Sequence, residues 1–224
     1  MLGMILAAGR GKRMMPLTKN TPKPLIKVQG LTLIEHSINA LKNAGISKIV
    51  INISYLDEQI KSYLGNGSKF GVNIHYSNES KGALETAGGI MKALPLLGIK
   101  PFVVINSDVL CDYDLSNLTL PTNSLAHLVL IDNPKHNPAG DFSLNDTQLI
   151  LTNKKTYTFS GVGVYRPDLF KPYLFEEKLA LSKVLKATIA KNQISAEHYA
   201  GYWQDIGTPE RLELANKQAR LNVK

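Results

Sequence analysis

Met4–Ala8 is an apolar run too short for an ordinary helix, and it stops on Gly9-Arg10-Gly11. A brief apolar stretch closed by turn residues is the pattern of a strand buried on both faces. It predicts an open α/β sheet whose first strand runs straight into a loop, and such sheets bind ligands beyond the carboxyl ends of their strands. Ala7, Ala8, Gly9 and Gly11 are small enough for backbone N–H groups to approach a ligand, and glycine permits the turns of an anion-binding concavity. Arg13 adds a planar fork suited to phosphate oxygens. Neither common phosphate motif fits. Met14 stands where a dinucleotide fingerprint needs its third glycine, and Arg13 follows Gly11-Lys12 where a P-loop needs Ser or Thr. A plain glycine turn with solvated bases also fits the loop taken alone.

Charge sharpens the picture. The net charge is +8, and six bases (Arg10, Lys12, Arg13, Lys19, Lys23 and Lys27) precede the first acid, Glu35. Most of the excess is therefore local, which points to a confined anion site rather than a general polycation. No face of interleaved bases and aromatics is present, so nucleic acid is not an expected partner. No apolar run approaches the length of a membrane span. The amino-terminal apolar run precedes its bases, the reverse of a secretory signal, so a cytoplasmic location is expected. Cys111 is the only cysteine, which excludes an internal disulfide and a cysteine-based zinc cluster.

Along the chain, strand and helix patterns alternate. Thr32 and Glu35 form a capping box ahead of an apolar stripe at Leu33, Ile34, Ile38, Leu41 and Ala44 that ends at Gly45. Strands are expected over Lys48–Ile53, Val72–Tyr76 and Phe102–Ile105, with helices over Asp57–Leu64 and over Leu84–Leu94, the latter stopping before Pro95. Further on, Leu125–Ile131, Asp141–Leu144, Gln148–Leu151 and Phe159–Tyr165 read as strands with little helix between them. A helix returns near Leu179–Lys191, and a last strand covers Tyr202–Ile206. Thr208 then caps a final helix with Pro209 at its first position. The alternation predicts one α/β domain over residues 1–224, with a mostly parallel central sheet and helices on both faces. The stretch from about 110 to 200 is expected to be β-rich.

Three more features carry chemistry. Pro22 and Pro24 stiffen the backbone on each side of Lys23, which suits a positioned cation, though a proline-rich surface loop fits as well. Asp108 ends the strand Phe102–Ile105, and Asp205 lies at a strand-to-helix junction. Two carboxylates beside a phosphate loop suit Mg²⁺, which favours hard oxygen ligands, whereas a lone Asp is more commonly a cap or turn acid. Leu84–Ile90 places small residues at a helix start, compatible with a flat base or with close helix packing. The five histidines (His36, His75, His127, His136 and His198) lack metal-ligand spacing and read as structural or surface groups.

In order, L-A-A-G-x-G-x-R with P-L-T after it, P-K-P-L, a strand ending in N-x-D, and W-x-D-I-G-T-P resemble the sugar-1-phosphate nucleotidylyltransferases over nearly the whole chain. Ser107 stands where many relatives have glycine in N-G-D, and Ala87 where a third glycine is common. Stretches such as Tyr76-Ser77, Leu84-Glu85-Thr86, Gly140-Asp141-Phe142 and Glu197-His198-Tyr199 narrow the likeness to the family's uridylyl-transferring members. The resemblance implies a Rossmann-like nucleotidyltransferase fold with a β-rich sugar-facing subregion and no C-terminal β-helix. It implies UTP and a sugar 1-phosphate as substrates, with Mg²⁺ held by Asp108 and Asp205. It places Gly11, Lys12 and Arg13 on the β- and γ-phosphates and Lys23 between the two reacting phosphates. It sets Ala7, Ala8, Thr86 and Gly88 toward the base, and Asn106, Asp141 and Ser160 toward the sugar. A relative with another base or sugar, and a nucleotide-sugar sensor without turnover, are the competing expectations.

Overall fold

Both faces of the first strand are covered, and that decides the architecture. The computed structural model describes residues 1–79, 82, 84–153 and 155–218. Strand β1 (Leu2–Leu6) pairs in parallel with β4 (Lys48–Ile53) on one side and β6 (Phe102–Asn106) on the other. Alternate residues of these strands enter two different cores. Met4, Val50, Phe102 and Val104 pack under helices α3 (Glu85–Leu97) and α4 (Leu181–Ile189). Ile5, Ile49, Ile51, Val103 and Ile105 pack under α1 (Leu33–Asn43) and α2 (Asp57–Leu64). Two apolar faces per strand are what make these segments read as unbroken hydrophobic runs.

The whole sheet has nine strands in the order β5-β4-β1-β6-β11-β8-β12-β10-β9. Strand β5 (Asn73–Asn78) continues the parallel set outward from β4. Beyond β6, β11 (Tyr157–Tyr165) runs antiparallel between β6 and β8 (Ala126–Asp132), and β12 (Ile194–His198) then runs parallel to β8. The β9 (Ser143–Asn145) and β10 (Gln148–Ile150) hairpin closes that edge. Only β11 and β10 run against the common direction, so the sheet is mostly parallel, and the expected β-rich stretch continues it. Two small sheets remain: β2 (Lys27–Val28) with β3 (Leu31–Thr32), and β7 (Val109–Cys111) with β13 (Trp203–Asp205). Helix α5 (Pro209–Lys217) follows, capped by Thr208.

Local chemistry sets the boundaries. The capping box forms as expected: Thr32 N donates to Glu35 Oε2 at 2.7 Å while Glu35 N donates to Thr32 Oγ1 at 3.3 Å. The sequence expectation for α3 is corrected, because the helix runs through Pro95 to Leu97. Pro95 lies in the last turn, where its missing N–H forfeits a single helical bond, and Leu97 is buried in the core beyond it. Gly98 N then closes the turn on Leu94 O at 2.9 Å. No helix among the described residues is long and apolar enough to cross a membrane.

The topology opens a crevice at β1. Its parallel neighbours β4 and β6 lie on opposite sides, so successive connections leave in opposite directions, the arrangement that places ligands at a switch point. The chain leaving β6 stays with the chain leaving β1, Ser107 N donating to Leu6 O at 3.1 Å.

Candidate active site

The glycine loop is anchored from below. Met14, which stands where a dinucleotide fingerprint has its third glycine, is fully buried with Leu33, Leu110, Ile206 and Ala215. It ends the short 3₁₀ turn Lys12–Met14, which leaves Lys12 and Arg13 exposed on the opposite side. Neither pairs with an acid among the described residues. Gly11 is left-handed at φ 64°, and a Cβ there would lie 3.0 Å from Lys23 Cβ. Its missing side chain lets the Lys23 turn close against the loop.

Lys23 opens a second 3₁₀ turn, Lys23–Leu25, with Pro22 as its cap. The residue is 9% exposed, and its ammonium donates to Asp108 Oδ2. Asp108 leads into β7, and Ile206 N donates to Asp108 O at 2.7 Å, so the chain leaving β13 lies against it. Asp205, at the end of β13, is register partner to Val109. The two aspartates, 97 positions apart in sequence, thus meet at one end of the β7–β13 pair, Asp108 just before β7 and Asp205 at the end of β13. Asp205 Oδ1 accepts from Arg211 Nη1 at 2.6 Å, and His136 Nε2 lies 3.1 Å from the same oxygen. His136 also stacks on Trp203, with centroids 6.4 Å apart.

Two cavities open here. The first, about 280 Å³, is lined by Ala7, Gly9, Gly11, Lys12, Arg13, Lys23, Ser107, Asp108 and Gly207. The second, about 540 Å³, is lined by Thr86, Asn106, Asp141, Phe159, Ser182, Lys155 and Lys186 among others. Asn106 and Ser107 are consecutive, so the cavities adjoin along the end of β6. Cavities of this size fit small organic ligands.

Most residues singled out from sequence converge on these two spaces; Ala8, Gly88, Ser160 and Asp205 line neither, Asp205 lying two residues before Gly207 of the first, and Asp141 lines the second with its carboxylate already engaged. Gly88 is buried, and both it and Ala87 donate their N–H groups to Leu179 O, at 3.1 and 3.0 Å. A Cβ at 88 would lie 2.4 Å from Glu177 O, so close packing of α3 on the 177–179 segment is what this glycine provides. Ser160 is fully buried, its hydroxyl donating to Val129 O at 2.7 Å and accepting from Val162 N at 3.1 Å. The structure brings neither residue's side to a cavity. Asp141 lines the second cavity but holds the Phe159 N–H at 2.9 Å and the Asn137 side chain at 3.2 Å. Ala8 is buried beside the loop.

Gly88→Ala is expected to destabilise the fold by roughly 1–3 kcal/mol, the usual cost of overpacking against backbone that cannot yield. A lowered urea midpoint with an unchanged slope is the measurement that checks it.

The two carboxylates keep room for a cation. Asp108 engages only Oδ2 and Asp205 only Oδ1, so among the described residues one oxygen of each accepts no hydrogen bond. No group of three or more His, Cys, Asp or Glu side chains is gathered among the described residues. Two carboxylates with free oxygens near a glycine loop match the hard oxygen donors that Mg²⁺ favours, one or two carboxylates with other oxygens completing the shell. Cys111 offers no nucleophile, because burial pushes its thiol up to about 12.

Sequence reasoning missed Arg211, the role of His136, and the two lysines of the second cavity. Arg211 reaches Asp205 by the turn at Gly207, a contact that no periodicity announces. Lys155 and Lys186 lie in a loop and on a helix where solvated lysines are ordinary.

Residues 2–221 match the Nucleotidyl transferase family model, and the chain belongs to that family. It is 48% identical to the N-acetylmuramate alpha-1-phosphate uridylyltransferase of Neisseria meningitidis serogroup B, over 98% of both chains. It is 30% identical to a mannose-1-phosphate guanyltransferase of Hypocrea jecorina, across 94% of this chain and 62% of that protein. Among solved structures, a putative glucose-1-phosphate thymidylyltransferase from Bacillus anthracis superposes with a TM-score of 0.85 at 25% identity, covering 96% of this chain and 93% of the other.

Proposed function

We propose that this enzyme transfers a uridylyl group from UTP to N-acetylmuramate α-1-phosphate, giving UDP-N-acetylmuramate for peptidoglycan recycling and releasing pyrophosphate. The observation that carries the chemistry is the Lys23–Asp108 pair facing the glycine loop, with Asp205 on the neighbouring strand. The sugar phosphate is already ionised near neutral pH, so its oxygen attacks the α-phosphorus in line without a general base. The residues act by holding anions together and neutralising charge, the division of labour usual in phosphoryl-type transfer. Lys12 and Arg13 hold the β- and γ-phosphates that leave as pyrophosphate. Lys23 lies between the attacking phosphate and the α-phosphate, and Asn106 marks the passage to the sugar cavity. A divalent cation held by Asp108 and Asp205 supplies further neutralisation at the reacting phosphates.

The choice of sugar is supported by the Neisseria relative and by charge. N-acetylmuramate differs from N-acetylglucosamine by a lactyl ether that bears a carboxylate, and Lys155 and Lys186 put positive charge on the wall of the second cavity. The cytoplasm, where UTP is available, is the compartment this reaction requires. Pyrophosphate release is measured with UTP, dTTP, GTP and CTP, each against the 1-phosphates of N-acetylmuramate, N-acetylglucosamine, glucose and mannose. The expected result is a kcat/KM for UTP with N-acetylmuramate 1-phosphate at least about tenfold above every other pair, the discrimination that a few pocket contacts provide. A higher value for any other pair overturns the assignment.

A further inference from the structure

Beneath the glycine loop, a chain of hydrogen bonds runs through two side chains that the proposed reaction itself does not use. Ala7 N donates to Asn52 Oδ1 at 2.8 Å, and Asn52 Nδ2 donates to Glu79 Oε1 at 2.7 Å. Leu84 N donates to Glu79 Oε2 at 2.8 Å. Asn52 is 3% exposed and Glu79 is 1% exposed. No cation pairs with Glu79 among the described residues. A carboxylate held out of water is costly, and a well-packed apolar side chain is often the more stable choice at such a place. What the carboxylate does that an apolar group cannot is accept from two directions at once.

The ends of the chain show what it fixes. One end is Ala7, where β1 gives way to the phosphate loop. The other is Leu84, immediately before α3, whose first residues include Thr86 of the second cavity. Asn52 sits near the end of β4, and Glu79 directly follows β5. Both ends of the relay are backbone donors, so the middle must accept at each end and carry one donor between its two members. Asn52 and Glu79 meet that requirement with a fixed polarity.

We propose that Asn52 and Glu79 are positioning residues that set the separation between the Ala7–Gly11 loop, which lines the first cavity, and the start of α3, which brings Thr86 to the adjoining second cavity. The inference rests on the reading of the adjoining cavities as the UTP and sugar-phosphate sites, with UTP lying across their boundary. A displacement of about 1 Å at a cavity wall is enough to cost on the order of 10²-fold in rate.

The polarity supplies the test. In Glu79→Gln, the new amide presents a donor toward either Asn52 or Leu84, and flipping Asn52 only moves the donor–donor clash to Ala7. In Asn52→Asp, two carboxylates face each other. In the double variant N52D/E79Q, the new carboxylate at position 52 accepts from Ala7 and from the new amide at position 79, whose own oxygen accepts from Leu84. Every link is restored, with the charge moved along by one member. Kinetics are measured at saturating N-acetylmuramate 1-phosphate with UTP varied, alongside direct UTP binding by calorimetry and thermal melting of each protein.

Glu79→Gln and Asn52→Asp are expected to lower kcat/KM for UTP by about 10- to 100-fold. The double variant is expected to return to within about threefold of wild type, which a merely additive loss does not allow. Asn52→Ala, which frees Ala7 but leaves the Glu79–Leu84 bond, is expected to raise KM for UTP more than it lowers kcat, and it serves if a single variant does not fold. The inference is overturned if Asn52→Ala leaves kcat/KM for UTP within twofold of wild type, or if the double variant is no better than the worse single. Wild-type protein that releases no pyrophosphate from UTP overturns the proposed reaction together with this inference. An active wild type with insensitive variants overturns this inference alone.

Discussion

Lys23→Met is expected to lower kcat by about 10²–10³ while the protein stays folded, the typical loss when one preorganised electrostatic group is removed from a reacting centre. Methionine keeps the apolar stem that packs against Gly11 and deletes only the ammonium. Asp108 then loses its partner, but its side chain is 30% exposed, so water replaces the ion pair. The melting temperature is therefore expected to shift by only a few degrees. With substrates bound, no such replacement is available. In the proposed reaction two phosphates that repel each other must approach within bonding distance, and Lys23 is the cation that the Lys23–Leu25 turn holds at the first cavity. Lys23→Arg is not expected to restore the rate, because a planar fork differs in shape and hydration from a compact ammonium. Steady-state kcat with both substrates saturating and thermal melting of the three proteins decide the matter. A methionine variant retaining a tenth or more of the wild-type kcat removes Lys23 from the mechanism.

The sequence was informative where local rules and burial agree. Strand Lys48–Ile53 and helix Asp57–Leu64 have the boundaries read from their residue patterns, since a β-branched run and an amphipathic stripe each have one favourable way to bury. Asp108 follows the end of a strand of the central sheet, where a ligand-facing residue is expected, whereas Asp205 reaches that place through the separate β7–β13 pair, which residue patterns do not announce. Strand β12 escaped notice because Ile194–His198 carries a serine, a glutamate and a histidine, and it becomes a strand by pairing with β8. Strand β7 is a three-residue piece held by β13. Ser160 and Gly88 have the small or polar character of ligand-facing residues, yet one is spent on a bend in β11 and the other on helix packing. In both cases the deciding partner, Val129 O or Glu177 O, lies tens of residues away in the chain. The same distance hides the Asn52–Glu79 relay, and the Arg211 contact depends on a turn rather than a repeat. Side-chain hydrogen bonds of this kind leave no period in the sequence, so only the folded chain reveals them.

Asp205→Asn separates the two tasks of that side chain. The carboxylate is pinned through Oδ1 by Arg211 and His136, with Oδ2 left without a hydrogen bond. Asparagine is nearly the same shape, and its amide oxygen still accepts from Arg211, so β13 and the start of α5 keep their junction. What disappears is the negative charge and the second oxygen, the features a divalent cation requires. Turnover is expected to fall by about 10²–10³, with the loss persisting as Mg²⁺ is raised well above the level that saturates wild type. Binding is checked apart from activity by titrating Mn²⁺, followed through its electron paramagnetic signal, into protein with UTP present. The variant is expected to bind at least about tenfold more weakly, because even indirect losses at a metal centre cost about 10- to 100-fold in affinity. An Asp205→Asn enzyme that binds Mn²⁺ as wild type does, and turns over at the wild-type rate, makes Asp205 a structural partner of Arg211 and leaves Asp108 as the sole acidic contributor to catalysis.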